Sequence, residues 1–259
     1  MVDSFVIIYY GNTGSSWLVQ TLGSAPGVLI PAFEPLESWV WKAGPEEKLA
    51  WLRNAFSPPR EREGPELDTW IADLARSPQF SKLPTIDFST VGLKMSWSAV
   101  TDTGALLTLL EEKGTKLVFL ERGNRIKHAL SLYRYHEEEK SQFELAGVRP
   151  PSKVKFDRFE HWVKDSIRLH EELTAFRTKA LATLSPGSLT TVAYEEFVTS
   201  EGKVAVIDRL AGFLGIESPS LEASHFEKAT PDDIRSAVLN FNRLRRRYRR
   251  TPLAEYFED

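Results

Sequence analysis

The sequence predicts an α/β protein, and three observations predict it. Phe5–Tyr10 is an unbroken run of six apolar and aromatic residues, rich in β-branched types, which suits a strand buried on both faces. Gly11-Asn12-Thr13-Gly14-Ser15-Ser16 then breaks the run, and Trp17-Leu18-Val19-Gln20-Thr21-Leu22 resumes at helical spacing. Further strand-like runs lie at Thr90, Lys116 and Ser188, the first two each followed by a helical pattern. The 259 residues are ample for one buried core, and no linker divides them.

The first turn carries the strongest chemical signal. A glycine turn between a strand and a helix points several backbone N–H groups and two or three hydroxyls at one spot, on the positive end of the helix. That arrangement favours a phosphate-like anion. It is not a nucleotide triphosphatase loop: two residues separate Gly11 from Gly14, and no lysine follows. Plain architecture is the competing account of the same glycines.

Gly27–Pro31 reads as a short second strand, leading into Phe33-Glu34-Pro35-Leu36-Glu37-Ser38-Trp39. Glu37 has two readings. It is either an acidic residue in a helix first turn, with Glu34 solvated, or one of the two is a general base whose pKa neighbouring aromatics raise. Residues 45–77 read as two helices separated by a loop at Ser57-Pro58-Pro59-Arg60, a covering segment or a plain insert. Thr90–Met95 is a strand, with a helix expected to start at Ser96-Trp97-Ser98. Lys94, at that strand's C-terminal end, either faces a ligand crevice or snorkels to solvent.

Leu106–Glu112 completes a helix that stops at Gly114, and Lys116–Arg122 is a buried strand. Arg122-Gly123-Asn124-Arg125 leads into a helix on which Ser131 lies nine residues after Arg122. A guanidinium fork and a hydroxyl suit a phosphate, although an arginine ending a strand also serves in surface ion pairs. His128 and His136 lie roughly on one face of this helix, too far apart to share a metal, and read as hydrogen-bonded or solvated side chains. Residues 137–155 read as a mobile, exposed segment. Phe159 to Ala180 belong to an amphipathic helix of about 25 residues, Ser188–Tyr194 is a strand, and six arginines fall between 243 and 250. Most of these arginines suit a helix C-terminus.

Several segments resemble the sulfotransferases that use 3′-phosphoadenosine 5′-phosphosulfate (PAPS). TGSSWL, Thr13–Leu18, resembles their 5′-phosphosulfate loop, with Asn12 where the family has Arg or Lys. GLKMSW resembles a strand that carries the family's lysine, kept here as Lys94, while Ser96 stands where some members have a histidine base. FLERGNRIKHALSL resembles the 3′-phosphate segment of trehalose-type and Nod-factor-type carbohydrate sulfotransferases, which also carry a glutamate base in the segment matching FEPLE. Tyr194-Glu195-Glu196-Phe197 and Leu210–Ile216 resemble packing segments of the family, and Asn240-Phe241-Asn242 its closing segment.

The resemblance implies a single domain over residues 1–259, with a central, mostly parallel sheet flanked by helices in a P-loop-like sulfotransferase fold. It implies an enzyme that moves a sulfuryl group from PAPS to a hydroxyl of a small-molecule or glycan acceptor, leaving adenosine 3′,5′-bisphosphate (PAP). Asn12, Thr13, Gly14, Ser15, Ser16 and Trp17 would hold the 5′-phosphosulfate, and Arg122 and Ser131 the 3′-phosphate. Glu34 or Glu37 would be the base, and Lys94 would neutralise charge on the transferring oxygens. A nucleotide-binding protein of the same fold without turnover, and a small-molecule kinase, are the rival classes.

Composition narrows the field further. A net charge of −3 argues against nucleic acid. The chain has no cysteine, so thiol catalysis and thiolate metal sites are excluded, and no metal is implied. No apolar run approaches the ~20 residues of a spanning helix, and Met1–Ser4 is too short for a signal peptide, so a cytoplasmic location is the expectation. No feature assigns an oligomeric state.

Overall fold

The computed structural model describes residues 2–32, 34–38, 41–59, 64–75, 88–137, 150–224 and 233–258. In chain order the elements are β1 (Asp3–Tyr9), α1 (Ser15–Gly23), β2 (Val28–Leu29), α2 (Pro45–Ala55), α3 (Pro65–Leu74), β3 (Thr90–Ser96), α4 (Thr103–Glu112), β4 (Lys116–Glu121) and α5 (Arg125–Glu137). They continue with α6 (Phe156–Thr183), β5 (Leu189–Ala193), α7 (Ser200–Leu214), α8 (Ile234–Ala237) and α9 (Phe241–Tyr248). Short 3₁₀ turns occupy Tyr194–Phe197, Leu221–Ala223 and Pro252–Phe257.

Contacts gather the chain into two compact units. The first is Met1–Tyr10, Gly14–Glu121 and Leu173–Ser224; the second is Gly11–Thr13, Arg122–Glu172 and His225–Asp259.

The first unit is built on a five-stranded sheet in the order β2-β3-β1-β4-β5, with every neighbouring pair parallel. β1 is buried from Ser4 to Tyr9 and β3 from Thr90 to Met95, as expected of parallel strands covered on both faces. From β1 the chain leaves toward β2 on one flank, and from β4 toward β5 on the other. Strand order therefore reverses beside β1, where open parallel sheets place their ligand crevice.

The second unit is helical. Leu130, Tyr133, Phe159, Val163, Phe241 and Leu244 form the middle of its apolar cluster. Arg134 is wholly buried and donates to the Ala237 carbonyl at 2.6 Å, which ties α5 to the end of α8.

Two expectations are corrected here, and one of the two readings of Glu37 is excluded. The second strand is only Val28–Leu29. No helix begins at Ser96-Trp97-Ser98; residues 97–101 are turn and bend, and Asp102 caps α4 by accepting the Ala105 N–H. Glu37 lies in a turn and not in a helix. The long amphipathic helix is 28 residues, Phe156–Thr183. Ser57–Pro59 separate α2 from α3 as expected; Phe33, Trp39, Arg60 and residues 138–149 lie outside the described residues. Among the described residues, no helix is long and apolar enough to cross a membrane.

Candidate active site

In the first unit, β1 and β3 run side by side, with Ile7 opposite Lys94 and Tyr9 opposite Ser96. The residue at the end of each strand is therefore brought against the start of α1 and the turn after β2. Lys94 is 1% exposed, and its ammonium donates to Ser16 Oγ at 2.8 Å and pairs with Glu34 Oε1 at 2.7 Å. Tyr9 Oη donates to the same Glu34 oxygen at 2.7 Å, and the Lys94 ammonium lies 5.0 Å from the centre of the Tyr9 ring. The snorkelling account of Lys94 is thereby excluded.

Glu37 is held differently. Its Oε1 accepts the Ser96 backbone N–H at 2.6 Å and its Oε2 the Ser96 hydroxyl at 3.0 Å. Lys48, on α2, is also buried and donates to the Ala99 carbonyl at 2.9 Å. Two lysines and two glutamates thus share one poorly solvated region.

Their electrostatics follow from burial. Desolvation raises the pKa of Glu37, against the two Ser96 hydrogen bonds that favour the carboxylate. Desolvation lowers that of Lys94, against the opposing pull of the Glu34 carboxylate. Lys48 is lowered by burial as well, with Glu37 acting the other way. Burial, followed by the Glu37 and Glu34 charges, pushes Tyr9 well above the ordinary phenol range.

Gly14 caps α1 with φ +79°, a left-handed conformation that favours glycine. It offers the first N–H groups of the helix no side-chain acceptor. A Cβ at Gly14 would lie 2.9 Å from the Phe197 ring, so that aromatic limits the loop to glycine on steric grounds too. Trp17 stacks on Phe197 with centroids 5.3 Å apart and has the Lys203 ammonium 5.3 Å from its own centre. The Tyr194–Phe197 segment therefore packs against the loop, and Glu196 accepts the Ala193 N–H.

The second unit holds the other half of the loop sequence, Gly11–Thr13. Arg122, 4% exposed and so not a surface ion-pair partner, donates from Nη1 to the Asn12 carbonyl at 3.1 Å. His128 Nε2 lies 2.8 Å from the Gly11 carbonyl, and His128 Nδ1 lies 2.7 Å from Ser166 Oγ. Asn12 has φ +62°, which asparagine tolerates better than most residues. Ser131 is half-buried on α5, whose start is capped by Asn124 accepting the Lys127 N–H at 2.8 Å.

The structure thus brings Ser16, Lys94 and Glu34 into direct contact in one unit, with Ser96 holding Glu37. In the other unit it joins Arg122 to Asn12. Tyr9 and Lys48 escaped the sequence reading, as did the hold of Ser96 on Glu37 and of His128, read as a hydrogen-bonded or solvated histidine, on the loop. Asp102, an N-cap residue four positions before a leucine pair, was the available signal that the helix starts late and leaves Ser96 for another role.

No family model and no curated protein sequence matches the chain. A crystal structure of a sulfotransferase from Alicyclobacillus acidocaldarius is similar over 100% of this chain and 95% of that one, with a TM-score of 0.50 and 15% identity. The chain therefore has the sulfotransferase fold: an α/β architecture on a parallel five-stranded sheet flanked by helices. A mouse sulfotransferase complexed with PAP matches 85% of this chain and 61% of its own, with a TM-score of 0.43 and 14% identity. A sulfotransferase domain from the curacin biosynthetic pathway matches 89% and 81%, with a TM-score of 0.45 and 12% identity.

Proposed function

We propose that this chain, as one domain spanning residues 1–259, is a sulfotransferase that moves a sulfuryl group from PAPS to an acceptor hydroxyl. The observation that carries the reading is the Ser16–Lys94–Glu34 contact, a buried cation bonded at once to an anion-loop serine and to a carboxylate. In this reading the backbone N–H groups and hydroxyls from Thr13 to Ser16 receive the 5′-phosphosulfate. Arg122 and Ser131 serve the 3′-phosphate. Lys94 neutralises the sulfuryl oxygens. Glu34 takes the acceptor proton while the acceptor oxygen bonds to sulfur and the bridging oxygen departs, with its electron pair, on PAP. Such chemistry rests on positioning and electrostatic stabilisation.

Glu34 is favoured over Glu37 as the base because it shares its oxygen with the lysine that reaches the loop. Both Glu37 oxygens are engaged by Ser96, the role of a clamp on the end of β3. Trp17, with its ring packed on Phe197, supports the loop from behind. The acceptor class that suits a carboxylate base is a sugar or other aliphatic alcohol.

A second reading, nucleotide binding without turnover, is favoured by Asn12, which leaves the leaving oxygen without the basic side chain usual in the resembling enzymes. Calorimetry with PAP and with ATP and Mg²⁺, followed by radiolabelled transfer from PAPS to a panel of sugars, lipids and phenols, decides among these. The proposed enzyme binds PAP and labels an aliphatic hydroxyl. Binding without labelling favours the second reading, and selective binding of ATP would identify a kinase.

A further inference from the structure

We infer that His128 is a positioning residue for the anion loop: with Arg122 it fixes the loop carbonyls so that the following N–H groups are aimed at the 5′-phosphosulfate. The inference rests on the proposed function for the identity of the anion, but not for the hold on the loop itself.

The argument begins with the peptide plane. In a trans peptide the N–H of each residue points opposite to the preceding carbonyl. Fixing the Gly11 carbonyl therefore fixes the Asn12 N–H, and fixing the Asn12 carbonyl fixes the Thr13 N–H. His128 binds the first carbonyl at 2.8 Å and Arg122 the second at 3.1 Å, so both N–H groups are directed away from these side chains. With Asn12 in the left-handed region, successive N–H groups of this kind form an anion-binding nest. Gly11 is exposed and has no Cβ contact to hold it, so without a fixed carbonyl its peptide plane is poorly determined.

The imidazole is itself fixed. The Gly11 carbonyl can only accept, so Nε2 carries the proton, and in the neutral ring Nδ1 accepts the Ser166 hydroxyl. Ser166 lies on α6 and is wholly buried, and the Arg125 carbonyl, 3.2 Å away, is the alternative acceptor for its proton. The charged and titratable groups around His128 are Arg122 after β4, Arg125 on α5 and His170 on α6. Complete burial, and after it these basic groups, hold the ring's pKa down at about 3 against the opposing hydrogen bond to Gly11, so it acts as a neutral donor throughout the physiological range.

The test compares the wild type with His128→Leu, His128→Gln and Ser166→Ala. Glutamine can place an amide N–H where Nε2 stands; leucine cannot. Hydrogen exchange of the unliganded protein should show the Asn12 and Thr13 amides exchanging about tenfold faster in His128→Leu and close to wild type in His128→Gln. Calorimetry should show His128→Leu losing about tenfold in affinity for PAP and for adenosine 5′-monophosphate, with adenosine 3′-monophosphate unchanged. Ser166→Ala, which leaves the ring but removes its Nδ1 donor, should give a smaller loss in the same pattern and serves if the leucine variant does not fold. Unchanged loop exchange, or an equal loss for the 3′-monophosphate, overturns the inference. A wild type that binds neither PAP nor the 5′-monophosphate refutes the proposed function, while the exchange experiment still decides the role of His128.

Discussion

Lys94 illustrates at the scale of one residue what a buried ammonium requires. Removing a single partner from a buried pair is strongly destabilising because the other charge is left unpaired. Ser16 Oγ and Glu34 Oε1 are acceptors that other parts of the chain supply to Lys94. The two glutamates can be separated by amide substitution. Glu37→Gln keeps an acceptor for the Ser96 N–H and places an NH₂ toward the Ser96 hydroxyl, which can accept. Glu34→Gln removes the proton acceptor altogether. The expected outcome is a loss of about a hundredfold or more in kcat for Glu34→Gln and only a few-fold for Glu37→Gln, measured as sulfate transfer. The reverse order would make Glu37 the base.

Asn12 gives a second residue-scale prediction. Restoring a basic side chain by Asn12→Arg should raise the transfer rate, because one donor at a developing negative charge is worth about 2.7–4 kcal/mol. The same change places arginine at φ +62°, so a lower melting temperature, from a cost of about 1–2 kcal/mol, should accompany the gain. A rate that stays level or falls would show that the charge comes from elsewhere, from Lys94 or from an arginine of the C-terminal cluster. In the sequence Lys94 stood out because a lysine ending a strand is unusual, and Arg122 because its segment, with Ser131 nine residues on, resembled a phosphate-binding one. Ser96 did not, since its partner Glu37 is 59 residues away and a Ser-Trp-Ser stretch looks like any helix start.

At the scale of elements, the five strands were legible and the joints between them were not. Runs of β-branched and aromatic residues specify a buried parallel strand by composition alone. The extent of β2 and the start of α4 depend on where backbone groups find partners, and composition does not reveal this. Glu37 takes both the Ser96 N–H and the Ser96 hydroxyl proton, which fixes the end of β3 to the turn after β2. One close approach in the sheet is testable. Phe5 lies opposite Gly92, and a Cβ on Gly92 would fall 2.1 Å from the Phe5 ring. Gly92→Ala should therefore destabilise by about 1–3 kcal/mol, read as a drop in melting temperature. The double variant Phe5→Leu/Gly92→Ala should lose less than the sum of its two single changes. Additive losses would mean that the ring is not what meets the new methyl group.

The chain passes between its two compact units five times, so neither is a contiguous segment. Its stability should carry a signature of His128 in acid. The folded pKa is about 3 against about 6.5 in the unfolded chain, so between these values the unfolded state binds more protons. Stability from this residue is complete above about pH 6.5 and is lost as pH falls toward 3, reaching about 5 kcal/mol at the acid end and about 2 kcal/mol by pH 5. Glu37 acts in the opposite sense, since its raised pKa makes the folded state the better proton binder. Comparison with a variant that leaves Glu37 in place isolates the histidine. Urea unfolding of the wild type and His128→Gln at pH 7.5 and pH 5 should show the wild type losing about 2 kcal/mol more than the variant between the two conditions. Equal losses would mean that the folded protein takes up a proton on His128 as readily as the unfolded chain, so that burial beside Arg122, Arg125 and His170 does not hold the ring neutral.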